Sequence, residues 1–394
     1  MAQTDLSPRD YIPPCPHYPD CFGCSYISLP YPQQLARKRE RVAQALANYP
    51  GLAALEVPAV VRSPQRLGYR SRVKLVVRRS HHALLAGLYV PHSHRVVDIS
   101  SCPVHPPAVN RVVHYLKGQV EKLGIAPYDE ESGAGELRYL DIRYSLWRRD
   151  LLLTLVTRHD HFPQGRELAR TLKRRFSFVA GVVQNINEEP GNVIWGKRFR
   201  PLAGRDWIME RVGFLKLRFA AGVFSQANPP VAAKLYETVF GLAGLTGQET
   251  VLDLYCGVGP ISLYLAGAAR LVWGIDENGL SISAAKQNGR INGVSNCRFF
   301  TGDVVEKIKE AHQTLSQIDR VVLNPTRKGV APEALEALLS LEAPKILYVS
   351  CDPDTLARDL DRLAGAGYRP LQLRSFDMFP QTEEVETVAL LARS

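Results

Sequence analysis

Residues 251–266 read VLDLYCGVGPISLYLA. An apolar run carrying Asp253 gives way to a glycine turn, Gly257 and Gly259, and then to a helical stretch. Glycine lets a backbone approach a ligand closely, and the N-terminus of the following helix offers free N–H groups. Further on, LVWGI at 271–275 is followed by Asp276, a carboxylate positioned to hold ribose hydroxyls. This order is the opening of a Rossmann-type site. The sixth position of the glycine fingerprint is Ser262, which disfavours a dinucleotide. On the motif alone, a plain tight turn is the competing reading.

Working outward, short apolar runs alternate with helical stretches: CRFF (297–300), VVLN (321–324), KILYVS (345–350), LQLRSF (371–376) and VETVALLA (385–392). Strands alternating with helices imply a doubly wound parallel sheet. Ahead of it, GVFSQANPPVAAKLYETVFGL (222–242) predicts a helix capped by Asn228, with Pro229 in its first turn. Val231, Leu235 and Val239 form its core stripe.

Upstream the pattern changes. Val73, Leu75 and Val77 alternate with Arg72, Lys74 and Arg78, a half-buried strand with a basic face. LRYLDIRYS, LLLTLVTR and FVAGVVQNI read as further strands, interrupted by a helix near 164–175. PYPQQLARKRERVAQALANYP reads as a helix with Leu35, Val42 and Leu46 on one face and Arg37, Lys38 and Arg41 around the rest. The expected organisation is an N-terminal cysteine-cluster segment and helix (1–59), a strand-rich central RNA-binding domain (60–220) and a catalytic domain (221–394).

The chain of 394 residues carries 49 Lys and Arg against 39 Asp and Glu, a net charge of +10. That balance favours a polyanionic partner, and Arg72, Lys74 and Arg78 are candidates for phosphate contacts. No apolar run is long enough to span a membrane, and the polar start MAQTDLSPRD has no apolar signal core. We therefore expect a cytoplasmic monomer without a membrane partner, whose cysteines are thiols, ligands or catalytic groups. Cys15, Cys21, Cys24 and the distant Cys102 make four thiols. Clustering of three in a proline-rich segment suits zinc or an iron–sulfur cluster equally. Cys256 and Cys297 read as packing residues.

The chemistry falls on strand ends, where such folds bind ligands. Asn324 follows the fourth strand and Cys351 the fifth. If the last strand is antiparallel, Glu386 begins it at the same edge. The form D-L-x-C-G-x-G resembles the first motif of the S-adenosylmethionine methyltransferases. That resemblance places Asp303, after the third strand, where such enzymes contact adenine. Methylation at C5 of uracil needs a thiolate to add to C6, a base to remove the C5 proton and polar groups on the uracil edge. Cys351, Glu386, and Gln226 with Asn324 fit those roles. The bland alternatives are a small buried Cys and a solvated Glu.

The ordered set FSQAN, DLYCGVG, NPTRKG, YVSCDPDT and DMFPQTEEVE is similar to the RNA uracil-5 methyltransferase family over residues 224–386. The resemblance implies Cys351 as nucleophile and Glu386 as base, with cofactor or uracil contacts at Gln226, Tyr255, Asp276 and Asn324. It implies an α/β fold: a C-terminal seven-stranded Rossmann-like methyltransferase domain, a strand-rich central domain and an N-terminal iron–sulfur segment. It also favours a [4Fe–4S] cluster on Cys15, Cys21, Cys24 and Cys102 beside the S-adenosylmethionine cofactor. Asn324 stands where many members have Asp, and Thr326 where Pro is commoner. The Asn, and the short lead before the cysteines, resemble the large-subunit (23S) ribosomal RNA enzymes. Ribosomal RNA is thus the expected substrate, with transfer RNA the alternative. An amino-group methyltransferase is disfavoured, because Thr326 and Arg327 stand where its stacking aromatic belongs. An RNA-binding protein with a relic cofactor fold would have no use for a Cys351–Glu386 pair.

Overall fold

The computed structural model describes residues 15–80, 83–191 and 193–394. The polar opening stretch lies outside them. Among the described residues, no helix is long and apolar enough to cross a membrane.

The first helix among the described residues is α1 (Tyr31–Ala47). Seven strands then build a first sheet: β1 (Arg72–Arg79), β2 (Leu84–Tyr89), β3 (Val96–Asp98), β4 (Leu137–Tyr144), β5 (Leu151–Thr157), β6 (Val179–Ile186) and β7 (Arg198–Gly204), in the order β3-β2-β1-β4-β5-β6-β7. Helices α2 (Pro107–Lys122) and α3 (Pro163–Arg175) pack on one face of it. Alternation sets the faces: Val73, Leu75, Val77 and Ile142 meet the helices, while Arg72, Asp141 and Arg143 fall on the opposite face. The β5–α3–β6 crossover makes the one parallel pair of this sheet. A two-stranded hairpin, β8 (Trp207–Val212) and β9 (Leu215–Ala220), leads into the second half.

The second sheet holds β10 (Thr250–Leu254), β11 (Leu271–Asp276), β12 (Cys297–Thr301), β13 (Arg320–Leu323), β14 (Lys345–Ser350), β15 (Tyr368–Phe376) and β16 (Glu386–Arg393). Their order is β12-β11-β10-β13-β14-β16-β15. The first five are parallel, and β16 inserts antiparallel between β14 and β15. Helices α4 (Pro229–Ala243), α5 (Pro260–Leu265) and α6 (Gly279–Ile291) contribute to the apolar core on one side. On the other lie α1 together with α7 (Val304–Thr314), α8 (Pro332–Leu339) and α9 (Pro353–Gly365). The near-continuous apolar runs of β10, β13 and β14 follow from burial on both faces. The reversal of strand order between β10 and β13 opens a crevice at the carboxyl ends of the strands.

Two expectations change. Lys38, expected on the solvent side of α1, is fully buried, and Leu35 is only half-buried. Asn228 occupies the N-cap position of α4 but makes no side-chain cap. Its amide instead donates to Ser63 Oγ at 3.1 Å and to the Met378 carbonyl at 3.2 Å.

Candidate active site

The glycine turn follows directly from β10. Tyr255 and Gly257 adopt left-handed φ values of 62° and 56°, so the chain reverses sharply into α5. Asp276, closing β11, pins the turn: one carboxylate oxygen accepts from the Gly257 N–H at 2.9 Å, the other from Asn278 N–H at 2.9 Å. A Cβ built on Gly257 would meet nothing within 4 Å, so the turn faces an open cradle. Beneath it Asp253 is fully buried. One of its oxygens accepts from Ser262 Oγ at 2.5 Å and the other has no protein partner. Burial pushes its carboxyl up to about 7. Half-buried Tyr255 lies within electrostatic reach of Asp303 and Glu277, and Asp303 caps α7 by accepting from Val305 and Glu306 N–H. An open glycine cradle, a carboxylate pinned at the second strand end, an aromatic ring and an acid at the third strand end fit an adenosyl cofactor.

Three further loops carry the remaining candidate residues. Gln226 lies between two residues tied to the first sheet. Arg143 donates to Ser225 Oγ at 3.1 Å and to the Val223 carbonyl, and Ser71 N–H donates to the Ala227 carbonyl at 2.7 Å. Asn324 follows β13, its N–H donating to the Leu254 carbonyl at 3.3 Å. The rest of its loop is held by α9: Arg358 donates to the Lys328 carbonyl and Val330 N–H donates to Asp359, both at 2.9 Å.

Cys351 lies between the end of β14 and Asp352, the N-cap of α9. In the β14–β16 ladder Ser350 faces Thr387. One further step of that register sets Cys351 against Glu386. Burial and the neighbouring Glu386 push the Cys351 thiol up to about 11, while the Arg327 guanidinium pulls it down. Glu386 is 4% exposed. Burial, then repulsion from Glu384, pushes its carboxyl up to about 7, again opposed by Arg327. Arg327 Nη2 lies 2.9 Å from Glu384 Oε2. The sequence reading missed this Arg327–Glu384 pair; its signal was a cation in NPTRKG and a second acid in TEEVE.

It also missed the support of the 377–383 loop, which leads into Glu386. Lys38 Nζ donates to Asp377 at 2.5 Å and to the Phe379 carbonyl at 3.0 Å. Tyr31 OH donates to Asp377 at 2.7 Å. Gln34 and Gln381 exchange reciprocal hydrogen bonds at 2.8 and 3.0 Å, and Tyr69 OH donates to the Pro380 carbonyl at 2.9 Å. Tyr31, Gln34, Lys38, Val42 and Ala45 form one buried helical stripe, so the legible signal was spacing rather than polarity.

Residues 203–394 match the tRNA (Uracil-5-)-methyltransferase family. An uncharacterized RNA methyltransferase of Geobacter sulfurreducens is 40% identical over 381 residues, covering 97% of this chain and 77% of that one. The chain belongs to the RNA (uracil-5-)-methyltransferase family. It is an S-adenosylmethionine-dependent enzyme of that class. An uncharacterized RNA methyltransferase of Gloeobacter violaceus is similarly 37% identical over 99% of the chain and 85% of its own length. Among solved structures, a Pyrococcus abyssi tRNA (uracil-54, C5)-methyltransferase bound to S-adenosyl-L-homocysteine superposes with a TM-score of 0.76. It is 28% identical, and the match covers 95% of this chain and 86% of that one.

Three expectations are corrected for this methyltransferase. The likeness to the 23S ribosomal RNA enzymes gives way, because the matching family and the full-length structural neighbour both carry transfer RNA descriptions. The iron–sulfur segment and its [4Fe–4S] cofactor also fall. Among the described residues, no group of three or more His, Cys, Asp or Glu is arranged to hold a metal ion. Cys15, Cys21, Cys24 and Cys102 line one small cavity with Arg70, Leu88 and Ile99. Burial there pushes Cys24 up to about 12, Cys102 up to about 11, and Cys21 upward. Finally, two of the three cations expected to hold phosphate are paired inside the protein. Arg72 lies 3.1 Å from Asp141, and Arg78 pairs with Glu130.

Proposed function

We propose that this enzyme methylates C5 of a transfer RNA uridine, the one at position 54 on the strength of the Pyrococcus abyssi likeness, with Cys351 as nucleophile and Glu386 as base. The observation that carries the target is that full-length likeness, which spans both sheets rather than the cofactor domain alone. In this reading residues 60–220 bind RNA and 221–394 carry the chemistry.

S-adenosylmethionine, when bound, supplies an electrophilic methyl group on its sulfonium. Tyr255, Asp276 and Asp303 would hold its adenosyl part, and Gln226 and Asn324 would supply polar contacts to the uracil and the cofactor. Uracil C5 alone is a weak nucleophile. The Cys351 thiolate adds to C6, and the electron pair of the 5,6 double bond moves into an enolate that makes C5 nucleophilic. Once C5 carries the methyl group, Glu386 takes the C5 proton. The electrons of that C–H bond restore the 5,6 double bond and expel the thiolate. A base near 7 suits this step, being largely able both to accept and to release its proton at neutral pH. Arg327 favours the ionised forms of both groups.

The test is 5-methyluridine mapping by mass spectrometry after incubation of the enzyme with unmodified transfer RNA and ribosomal RNA. Methyl groups at one transfer RNA uridine are expected. Methylation confined to ribosomal RNA would overturn the target.

A further inference from the structure

Helix α3 carries five cations, Arg166, Arg170, Lys173, Arg174 and Arg175, and one acid, Glu167. Arg166, Arg170 and Arg174 are all exposed. Four-residue spacing puts them in a row along one face, roughly 6 Å apart along the axis. The buried side of the helix is Leu168, Ala169 and Leu172, so the arginines contribute nothing to the core. Helix stability does not account for the row either. Cations favour the last turn of a helix and are unfavourable near the first, yet Arg166 is the fourth residue of α3 and the row runs from there into the last turn.

Their surroundings leave them uncompensated. On the adjacent strand β7, Arg198 pairs with Asp160 and Glu188, and Arg200 pairs with Asp160. Among the described residues, Arg166, Arg170 and Arg174 have no such ion pair. An open groove beside them is lined by Glu167, Arg170, Lys173, Arg174 and Ala203. At the C-terminal end the basic surface continues on ordered guanidinium groups. Arg175 stands over the Phe176 ring at 5.2 Å, and Arg111 of α2 over the Phe178 ring at 5.4 Å. Cations already fixed on aromatic rings lose less freedom on binding.

We propose that α3 is a second RNA-binding surface, which grips the phosphate backbone of the substrate away from the target uridine. The placement sets its range. α3 packs on one face of the first sheet, whereas the Gln226 loop is tied by Arg143 to the other. The thickness of the sheet lies between them, so an RNA that reaches both passes around the sheet, and α3 packs beside its β7 edge. A folded RNA with helical arms has the reach to do so, and on this proposal a short stem-loop carrying the target uridine does not touch α3.

The proposal rests on the transfer RNA reading above, and its test separates the two. The full-length Arg166→Glu/Arg170→Glu/Arg174→Glu enzyme is compared with wild type on a full-length transfer RNA transcript and on a short stem-loop carrying the target uridine. For the transcript, KM rises about tenfold or more with kcat unchanged; for the stem-loop neither changes. The slope of log affinity against log salt for the transcript becomes shallower by about 2–3, since each phosphate contributes roughly 0.7–0.9. The corresponding triple Gln variant, which introduces no repulsion, moves in the same direction by less and decides the matter if the Glu variant does not fold. Unchanged KM and salt slope on the transcript would overturn the proposal, as would equal losses on both substrates. Wild-type enzyme that methylated only ribosomal RNA would remove the transfer RNA reading; the salt slope measured on that RNA would still decide the role of α3.

Discussion

In the proposed mechanism Cys351 and Glu386 each need to be ionised, and each hinders the other. The thiol must be a thiolate to attack and the carboxyl must be a carboxylate to take a proton, yet Glu386 is buried, Cys351 is half-buried, and their negative charges repel. Arg327 relieves both from one exposed position. Two predictions follow from this arrangement. Cys351→Ala retains RNA and cofactor binding but forms no covalent adduct and no product. Glu386→Gln keeps the shape and loses the base, so a methylated nucleotide stays bonded to Cys351 and is seen as a denaturation-resistant protein–RNA band. Normal turnover by Glu386→Gln would refute the assignment. Second, Arg327→Ala moves the rising limb of the pH–rate profile to higher pH. Its charge lowers both groups, and without it Glu384 is left uncompensated beside Glu386, which acts in the same direction. Activity near pH 7 should fall about tenfold for each unit of displacement and recover as the pH is raised, while Arg327→Lys behaves nearly as wild type. A profile of unchanged shape and position would show that Arg327 acts only through Glu384 on the fold.

At the scale of elements, the loop at 377–383 depends on α1. The Lys38–Asp377 pair is fully buried, where taking two charges out of water offsets most of their attraction. Such a pair does little for net stability, but removing one partner strands the other. Lys38→Met should therefore destabilise the enzyme by about 3–5 kcal/mol, read as a lower thermal midpoint. Lys38→Met/Asp377→Asn should recover most of that loss, because no buried charge remains. A single variant as stable as wild type would mean that Asp377 finds another partner. This element was only half legible in sequence. The 3.6-residue spacing of α1 was visible, but Lys38 read as surface because its partner lies at the other end of the chain. Strand β2 went unread for a different reason. Its LLAGLY is apolar throughout, without alternation, and Gly87 is required because a Cβ there would lie 1.8 Å from the Val97 carbonyl.

For the whole molecule, the doubly wound half was readable because its grammar is local: an apolar run, a turn, a helix, repeated. The inserted last strand was expected as antiparallel, and the β16 register agrees. The first sheet was legible as strands but not as an order of strands, since register between distant segments leaves little local trace. Its basic face misled because sequence shows a cation and not the carboxylate opposite it: Arg72 reads as phosphate-seeking until Asp141 is set 3.1 Å away. The four clustered thiols misled similarly, as spacing reports proximity along the chain and says nothing of how the side chains are arranged in space; among the described residues they form no metal-holding group.

The Lys38–Asp377 contact also has a consequence in time. Its two residues are 339 positions apart, so the loop that aims Glu386 is fixed only when an early segment meets a very late one. Domains emerge from the ribosome in order and fold as they do, and contacts this remote form late because the loop must be closed before they reward it. The cofactor turn can be in place while Glu386 is still unplaced. A nascent or partly unfolded chain is thus able to assemble the early part of the site without being able to complete a turnover, and the readiness of the enzyme reports that residues 31–38 have found residues 377–381.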